Sequence, residues 1–282
     1  MKLPLAPAAV FDAVRELRSS ATKSKPIVLG GARSLVDALR RELLRDGDAS
    51  AIRDASLGAL DGTAALVYVL AGEPTEEDER ALRSADMANV PIVVLGPDPT
   101  TPIPHVLATD ILPLQPGEGF PLEDLGRLIG VKADDVAPAL AAKLPSLRRG
   151  IAESLVAKVS RQNGLIGAAV FIPGVDFPVL TLNQLRLVMK LATAYGQQLD
   201  AQRLPEVLGV VGTGLGLRAI ARGALGVVPV AGWAVKGGVA YTGTRALGEA
   251  AIRYFEARAS SGGTAASPAS AEQAMQGRRE RS

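Results

Sequence analysis

The chain has 282 residues, room for one large domain or two ordinary ones. Its formal net charge of +2 gives no basic field that would point to nucleic acid. It has no cysteine, which excludes disulfides, thiol nucleophiles and cysteine-based zinc sites, and a single histidine, His105. Aromatic residues make up only 4% of a chain that is 48% hydrophobic, with 30 glycines, so small residues must do much of the packing.

Residues 1–24 read as an N-terminal helical segment. Val10, Phe11, Val14 and Leu17 recur at helical spacing with Arg15, Glu16 and Arg18 opposite. The first ten residues lack an apolar core and a small-residue cleavage site, so no secretory signal is expected there.

Between residues 25 and 130, apolar runs at Ile27–Leu29, Ala65–Leu70, Pro91–Leu95 and Val106–Ala108 alternate with helical stretches at Ser34–Arg45, Thr75–Ala88 and Leu122–Ile129. Continuous apolar runs joined by helices predict parallel strands buried on both faces, hence a doubly wound α/β domain. Ligands in such folds sit at the carboxyl ends of the strands. The candidate edge is therefore Gly30-Gly31, Ala71-Gly72-Glu73, Gly96-Pro97-Asp98 and Thr109-Asp110.

The strand-to-helix junction Ile27-Val28-Leu29-Gly30-Gly31-Ala32-Arg33-Ser34 stands where a phosphate loop would stand, but G-x-x-x-x-G-K-[ST] is absent in spacing and lysine. The segment resembles the first loop and helix of a small Ras-like GTPase with the loop cut short. Asp61–Gly72 resembles the strand after the second switch, and Pro91–Asp98 the strand that carries the guanine-reading N-K-x-D motif. Of that motif only Asp98 remains, with Leu95 and Gly96 at the Asn and Lys positions. The resemblance implies a GTPase-like fold over residues 25–130 with its nucleotide motifs broken. A nucleotide-binding alternative would use Gly30, Gly31, Ser34 and Asp98.

Other polar residues carry simpler readings. Gly30 and Gly31 suit a tight turn, Asp98 a proline-flanked turn, and Arg33 an exposed helix start. His105 reads as a surface residue without a carboxylate partner. Glu73, Glu76, Glu77, Asp78 and Glu79 suit a helix N-terminus, where the backbone dipole favours acids. No catalytic group, cofactor or metal site is assigned, so the chain is not expected to be an enzyme.

Residues 131–162 read as connector helices, with Leu147, Ile151, Leu155 and Val159 in an i, i+4 stripe. The composition then shifts: Gly164–Leu185 carries only Asp176 as a charge, and Gly223–Val235 carries none. A loose repeat at an offset of 56 pairs Gly167 with Gly223, Pro173 with Pro229 and Phe177 with Trp233, which suggests two helical hairpins. Residues 163–258 therefore form a predicted all-α, glycine-rich domain. Residues 259–282 are expected to be a disordered tail, because their Ser, Gly, Gln and Arg cannot bury enough apolar surface.

Within this second domain, Ile172-Pro173-Gly174-x-Asp176, Leu182-Asn183-Gln184-Leu185, Ala194-Tyr195-Gly196 and the glycine-rich Gly209–Gly238 are similar to the YcjF-like domain of unknown function. That family is found in bacteria as the C-terminal partner of GTPase-like domains, and the resemblance covers about residues 150–256. It implies membrane association, no catalytic residues, and structural or interaction roles for Pro173, Gly174, Asp176, Asn183, Gln184, Tyr195 and Gly196. Clean spans are harder to read, since Asp176 falls in the first apolar stretch and Arg218 and Arg222 in the second. A charge at the bilayer centre costs about 2.5–3.5 kcal/mol.

The expectation is a non-catalytic adaptor or scaffold at the cytoplasmic face of a membrane. Lipid is the expected partner, with self-association or another membrane protein as further partners, and no nucleic acid. A nucleotide-binding switch and a soluble cytoplasmic homo-oligomer are the alternatives.

Overall fold

Five short strands form a parallel sheet in the order β2-β1-β3-β4-β5. They are β1 (Ile27–Gly31), β2 (Ile52–Asp54), β3 (Ala65–Val69), β4 (Ile92–Gly96) and β5 (Ile111–Pro113). The computed structural model describes residues 24–55, 60–96, 102–115, 117–169, 177–197 and 232–262. The expected N-terminal segment and most of the expected tail lie outside these.

The central strands β3 and β4 are buried along their whole length, as continuous apolar runs require. Alternation divides the sheet into two faces. Ile27, Leu29, Val67, Val69, Val93 and Leu95 meet α1 (Arg33–Leu43) and α3 (Leu122–Ala133) on one side. On the other, Val28, Leu66, Tyr68 and Val94 meet Leu82 and Ala85 of α2 (Glu76–Met87). Helices thus cover both faces, and a helical region follows the α/β layer.

Two strands differ from the sequence reading. β2 was not expected, because Ile52-Arg53-Asp54 is an edge strand with one buried residue and presents no apolar run. The last strand is Ile111–Pro113 rather than Val106–Ala108, where Leu107 is 69% exposed. Thr109-Asp110 consequently precedes β5 and lies at the amino edge of the sheet, not the candidate ligand edge. There Asp110 is held by Lys132 at 2.7 Å.

α2 shows how local chemistry sets an element. Thr75 and Asp78 form a capping box, four acids occupy the first turn, and Tyr68 Oη donates to Asp78 at 2.8 Å, tying the helix start to the sheet. Asn89, with φ +53°, closes its far end. The N–H of Val90 then reaches the Ala85 carbonyl.

The helical region comprises α4 (Ala137–Lys143), α5 (Arg148–Ala169), α6 (Phe177–Ala194) and α7 (Gly232–Gly262). α5 is a single helix that runs through residue 163, the expected start of the second domain, and packs against α3, α6 and α7. One core joins the sheet to this region: Ile27, Val67 and Val93 belong to the same cluster as Ile151, Leu155, Leu187 and Phe255.

Glycines permit the close helix crossings. A Cβ on Gly150 would strike the Glu123 carbonyl of α3, and one on Gly126 the Leu147 carbonyl. Between α5 and α7, a Cβ on Gly248 would lie 2.5 Å from Val156 Cγ2, and one on Gly237 would lie 2.8 Å from the Gly164 carbonyl oxygen.

α6 ends in a Schellman motif. The N–H of Gly196 donates to the Thr193 carbonyl at 2.9 Å and that of Gln197 to the Ala192 carbonyl at 2.8 Å, with Gly196 at φ +68°. Nothing lies near a Cβ built there, so Gly196→Ala should destabilise by backbone strain alone, about 1 kcal/mol. Gly238→Ala, in open space on α7, should instead be neutral or stabilising. Urea midpoints of the two variants test this; equal shifts would remove the backbone explanation.

Candidate functional site

Three of the four expected edge loops begin at the carboxyl ends of β1, β3 and β4. β1 and β3 are neighbours whose connections leave in opposite directions, which makes their carboxyl ends the switch point of the sheet. Gly30, Gly31 and Ser34 stand there.

The turn itself is closed. β1 ends at Gly31 and α1 begins at Arg33, so Ala32 alone links them. Its N–H already donates to the Val69 carbonyl at 2.8 Å. Gly31 has φ +105°, and a Cβ there would collide with the Val69 carbonyl, so glycine is required by conformation and by approach. Gly30 is set against Tyr68 and Ala55, 3.0–3.2 Å from a hypothetical Cβ. A one-residue link with its N–H engaged is too short to wrap around a phosphate chain as a glycine-rich loop does. A cavity of about 670 Å³ beside this turn is lined by mixed charges, with Arg40 paired to Asp54 at 2.5 Å. Asp98 lies outside the described residues.

His105 is not the isolated surface residue expected. Its Nδ1 lies 2.9 Å from Asp86 Oδ2, and its Nε2 accepts from Arg83 at 3.3 Å. Asp86 and Arg83 belong to the last turns of α2, where the chain is heading back to the amino edge of the sheet. The trio pins the loop carrying His105 to α2, away from the switch point. Among the described residues no acidic or histidine cluster could hold a metal ion.

Pro173, Gly174 and Asp176 lie outside the described residues. Asn183 and Gln184 of α6 enter a polar cluster buried between α5, α6 and α7. Asn183 Nδ2 donates to Asn163 Oδ1 at 2.9 Å, Asn163 Nδ2 to Thr244 Oγ1 at 2.9 Å, and Gln184 Nε2 to Thr244 Oγ1 at 3.1 Å. Asn163 and Thr244 are fully buried.

Tyr195 joins three helices. Its hydroxyl donates to Glu256 of α7 at 3.1 Å, its ring stacks on Phe255 with centroids 5.9 Å apart, and the Arg148 guanidinium lies 5.4 Å above it. Burial pushes the phenol above its ordinary range, and the Glu256 charge adds to this. Arg149 also reaches Glu256 at 3.1 Å. Sequence reading singled out Asn183, Gln184, Tyr195 and Gly196 but missed Asn163, Thr244, Arg148 and Glu256. Asn163 left one legible signal, since it continues the i, i+4 stripe of Leu147, Ile151, Leu155 and Val159 as a polar member.

A concavity of about 930 Å³ forms a trough on the outer side of the helical region. Its floor is the outward strip of α5 through Glu153, Ala157, Arg161 and Leu165, and its walls are α3 and α7. Leu165 is 72% exposed, and Val131 on the α3 wall is 65% exposed. Four lining cations are held by acids. Arg127 contacts Glu123, Asp124 and Glu153; Arg149 contacts Glu153 and Glu256; Lys158 contacts Asp134; and Arg245 contacts Glu249. Arg161 and Arg253 line the same trough, exposed, with no acidic partner among the described residues.

Among the described residues no helix is long and apolar enough to cross a membrane. Comparison with family models, with curated proteins and with solved structures finds no match to this chain.

Proposed function

We propose that the chain is a non-catalytic adaptor: an α/β layer fused through one core to a helical layer, which presents the α3–α5–α7 trough to a partner. The trough is the observation that carries this reading, because it combines concavity, exposed Leu165 and Val131, and two arginines, Arg161 and Arg253, that form no ion pair among the described residues. Such a combination fits recognition better than chemistry. The closed β1–α1 turn supports the non-catalytic part, since Ala32 has already given its N–H to Val69.

The GTPase-like ancestry of the α/β layer belongs to the same proposal. It rests on the resemblance of residues 25–130, while the strand order 2-1-3-4-5 is shared by doubly wound folds of several kinds. Work at the cytoplasmic face of a membrane is proposed from the YcjF-like resemblance of residues 150–256. Fractionation with an alkaline carbonate wash tests it: full-length protein kept in the washed pellet supports an anchored adaptor, and release into the supernatant removes the anchor.

Titration of the full chain with guanine and adenine nucleotides plus magnesium, followed by thermal shift and phosphate release, tests the non-catalytic reading. No saturable shift and no turnover are expected at millimolar nucleotide. Saturable binding or turnover would replace the adaptor with a nucleotide-driven switch.

A further inference from the structure

We infer that the trough between α3, α5 and α7 accepts an acidic amphipathic helix of a partner protein. The inference rests on the adaptor reading above and names the chemistry of its partner.

Shape comes first. The floor strip from Glu153 to Leu165 spans twelve residue steps, about 18 Å at the helical rise. That is the length of three to four turns, and a helix about 10 Å across matches a channel bounded by two other helices. A bilayer surface is planar on this scale and would touch only the rims.

Charge selects the sign of the occupant. The acids Glu153 and Glu249 face into the trough but are engaged by Arg149, Arg127 and Arg245. Among the described residues, Arg161, on the floor, and Arg253, on the α7 wall, form no ion pair. Both are arginines, whose planar forks suit bidentate contact with carboxylates. Their aliphatic stems can also cover apolar surface beside the ion pair.

Apolar contact supplies the remainder. Leu165 and Val131 are exposed large hydrophobic residues in the same concavity, with Ala157 and Gly130 leaving room between them. A helix that places an apolar stripe on Leu165, Ala157 and Val131 and flanks it with Asp or Glu would bury all three and neutralise both arginines. This is the helix-in-groove mode, with anchors at i, i+4 and i+7.

The test uses full-length protein and two labelled peptides of about four turns with the same apolar stripe, one flanked by glutamates and one by lysines. Fluorescence anisotropy should show saturable binding of the acidic peptide, weakened by added salt, and none of the basic one. Arg161→Glu combined with Arg253→Glu should weaken binding at least about tenfold, as should Leu165→Asp. Met87→Asp, an exposed site on α2, should leave binding unchanged. All substituted side chains are exposed, and circular dichroism reports whether each variant keeps its fold.

Equal binding of both peptides, absence of saturable binding, or indifference to the trough substitutions would overturn the inference. Two rival occupants have their own signatures, and either overturns it. A lipid surface would show as anionic phosphatidylglycerol vesicles that bind through Arg161 and Arg253 while the acidic peptide does not. A second copy would show as a dimer in equilibrium sedimentation that Leu165→Asp dissociates. Nucleotide turnover would overturn the adaptor reading by itself, whatever the peptides do.

Discussion

Gly150→Val is expected to lower the stability of the whole chain by about 3 kcal/mol or more, with the sheet losing protection together with the helices. A Cβ at residue 150 would fall inside the Glu123 carbonyl and 2.7 Å from the Arg127 amide nitrogen, both backbone atoms of α3. Backbone atoms cannot rotate away as a side-chain end can, so the two helices must separate. Their separation opens the layer in which Leu125 and Ile129 of α3 meet Ile151 and Leu155 of α5. α3 also covers the sheet, so the damage should reach Val67 and Val93. Urea unfolding followed by circular dichroism should show one transition at a lower midpoint. Hydrogen exchange should accelerate at the β3 amides as well as in α5. Gly243→Ala, in open space on α7, is the matching control and should not destabilise. Unchanged β3 protection beside a melted α5 would mean that sheet and helices fold as separate units.

The same crossing explains what the sequence could and could not disclose. Buried parallel strands were legible, because Ala65–Val69 and Ile92–Gly96 are uninterrupted apolar runs with no polar face. α2 was legible because its first turn concentrates acids after a capping threonine. β2 was hidden, since an edge strand with one buried residue has no period to detect. The role of α5 was hidden for a different reason. Gly126, Gly130 and Gly150 read locally as weak helix positions, and only the facing helix, through its backbone at Gly126 and Gly150 and through Ser154 at Gly130, shows that they are contact points. A stripe at Ile151 and Leu155, continuing from Leu147 just before the helix, reveals one buried side of α5, whereas α3, α6 and α7 enclose several.

The trough was illegible for a related reason. Arg161 and Leu165 are four residues apart on α5, but Val131 and Arg253 come from two other helices and no spacing ties them to that strip. Arginines at 161 and 253 look the same in sequence as those at 127 and 149, and only the fold shows which have acids beside them. At the switch point the reverse applies. The truncated Gly30-Gly31 junction already argued for a turn, and the Ala32–Val69 hydrogen bond gives the physical reason.

Asn163→Leu is expected to cost about 2–3 kcal/mol, more than its modest change in volume would suggest. Asn163 is fully buried and works in both directions, accepting from Asn183 of α6 and donating to Thr244 of α7. Leucine would fill most of the space but leave the Asn183 amide without its acceptor and remove one donor from the Thr244 hydroxyl. Gln184 would still reach Thr244, so the cluster should lose part of its energy and not all of it. Thr244→Val removes the other shared atom, and the double variant should therefore cost less than the sum of the singles. A coupling of about 1 kcal/mol or more from a urea double-mutant cycle would establish the cluster as one unit. Strict additivity would mean that the three helices are set by apolar packing alone. The cluster also fixes how α6 and α7 slide on α5, because each donor meets its acceptor at only one register. Asn163→Leu should consequently broaden the amide resonances of α6 while β3 and β4 keep their dispersion, a readout that a simple loss of buried contact would not produce.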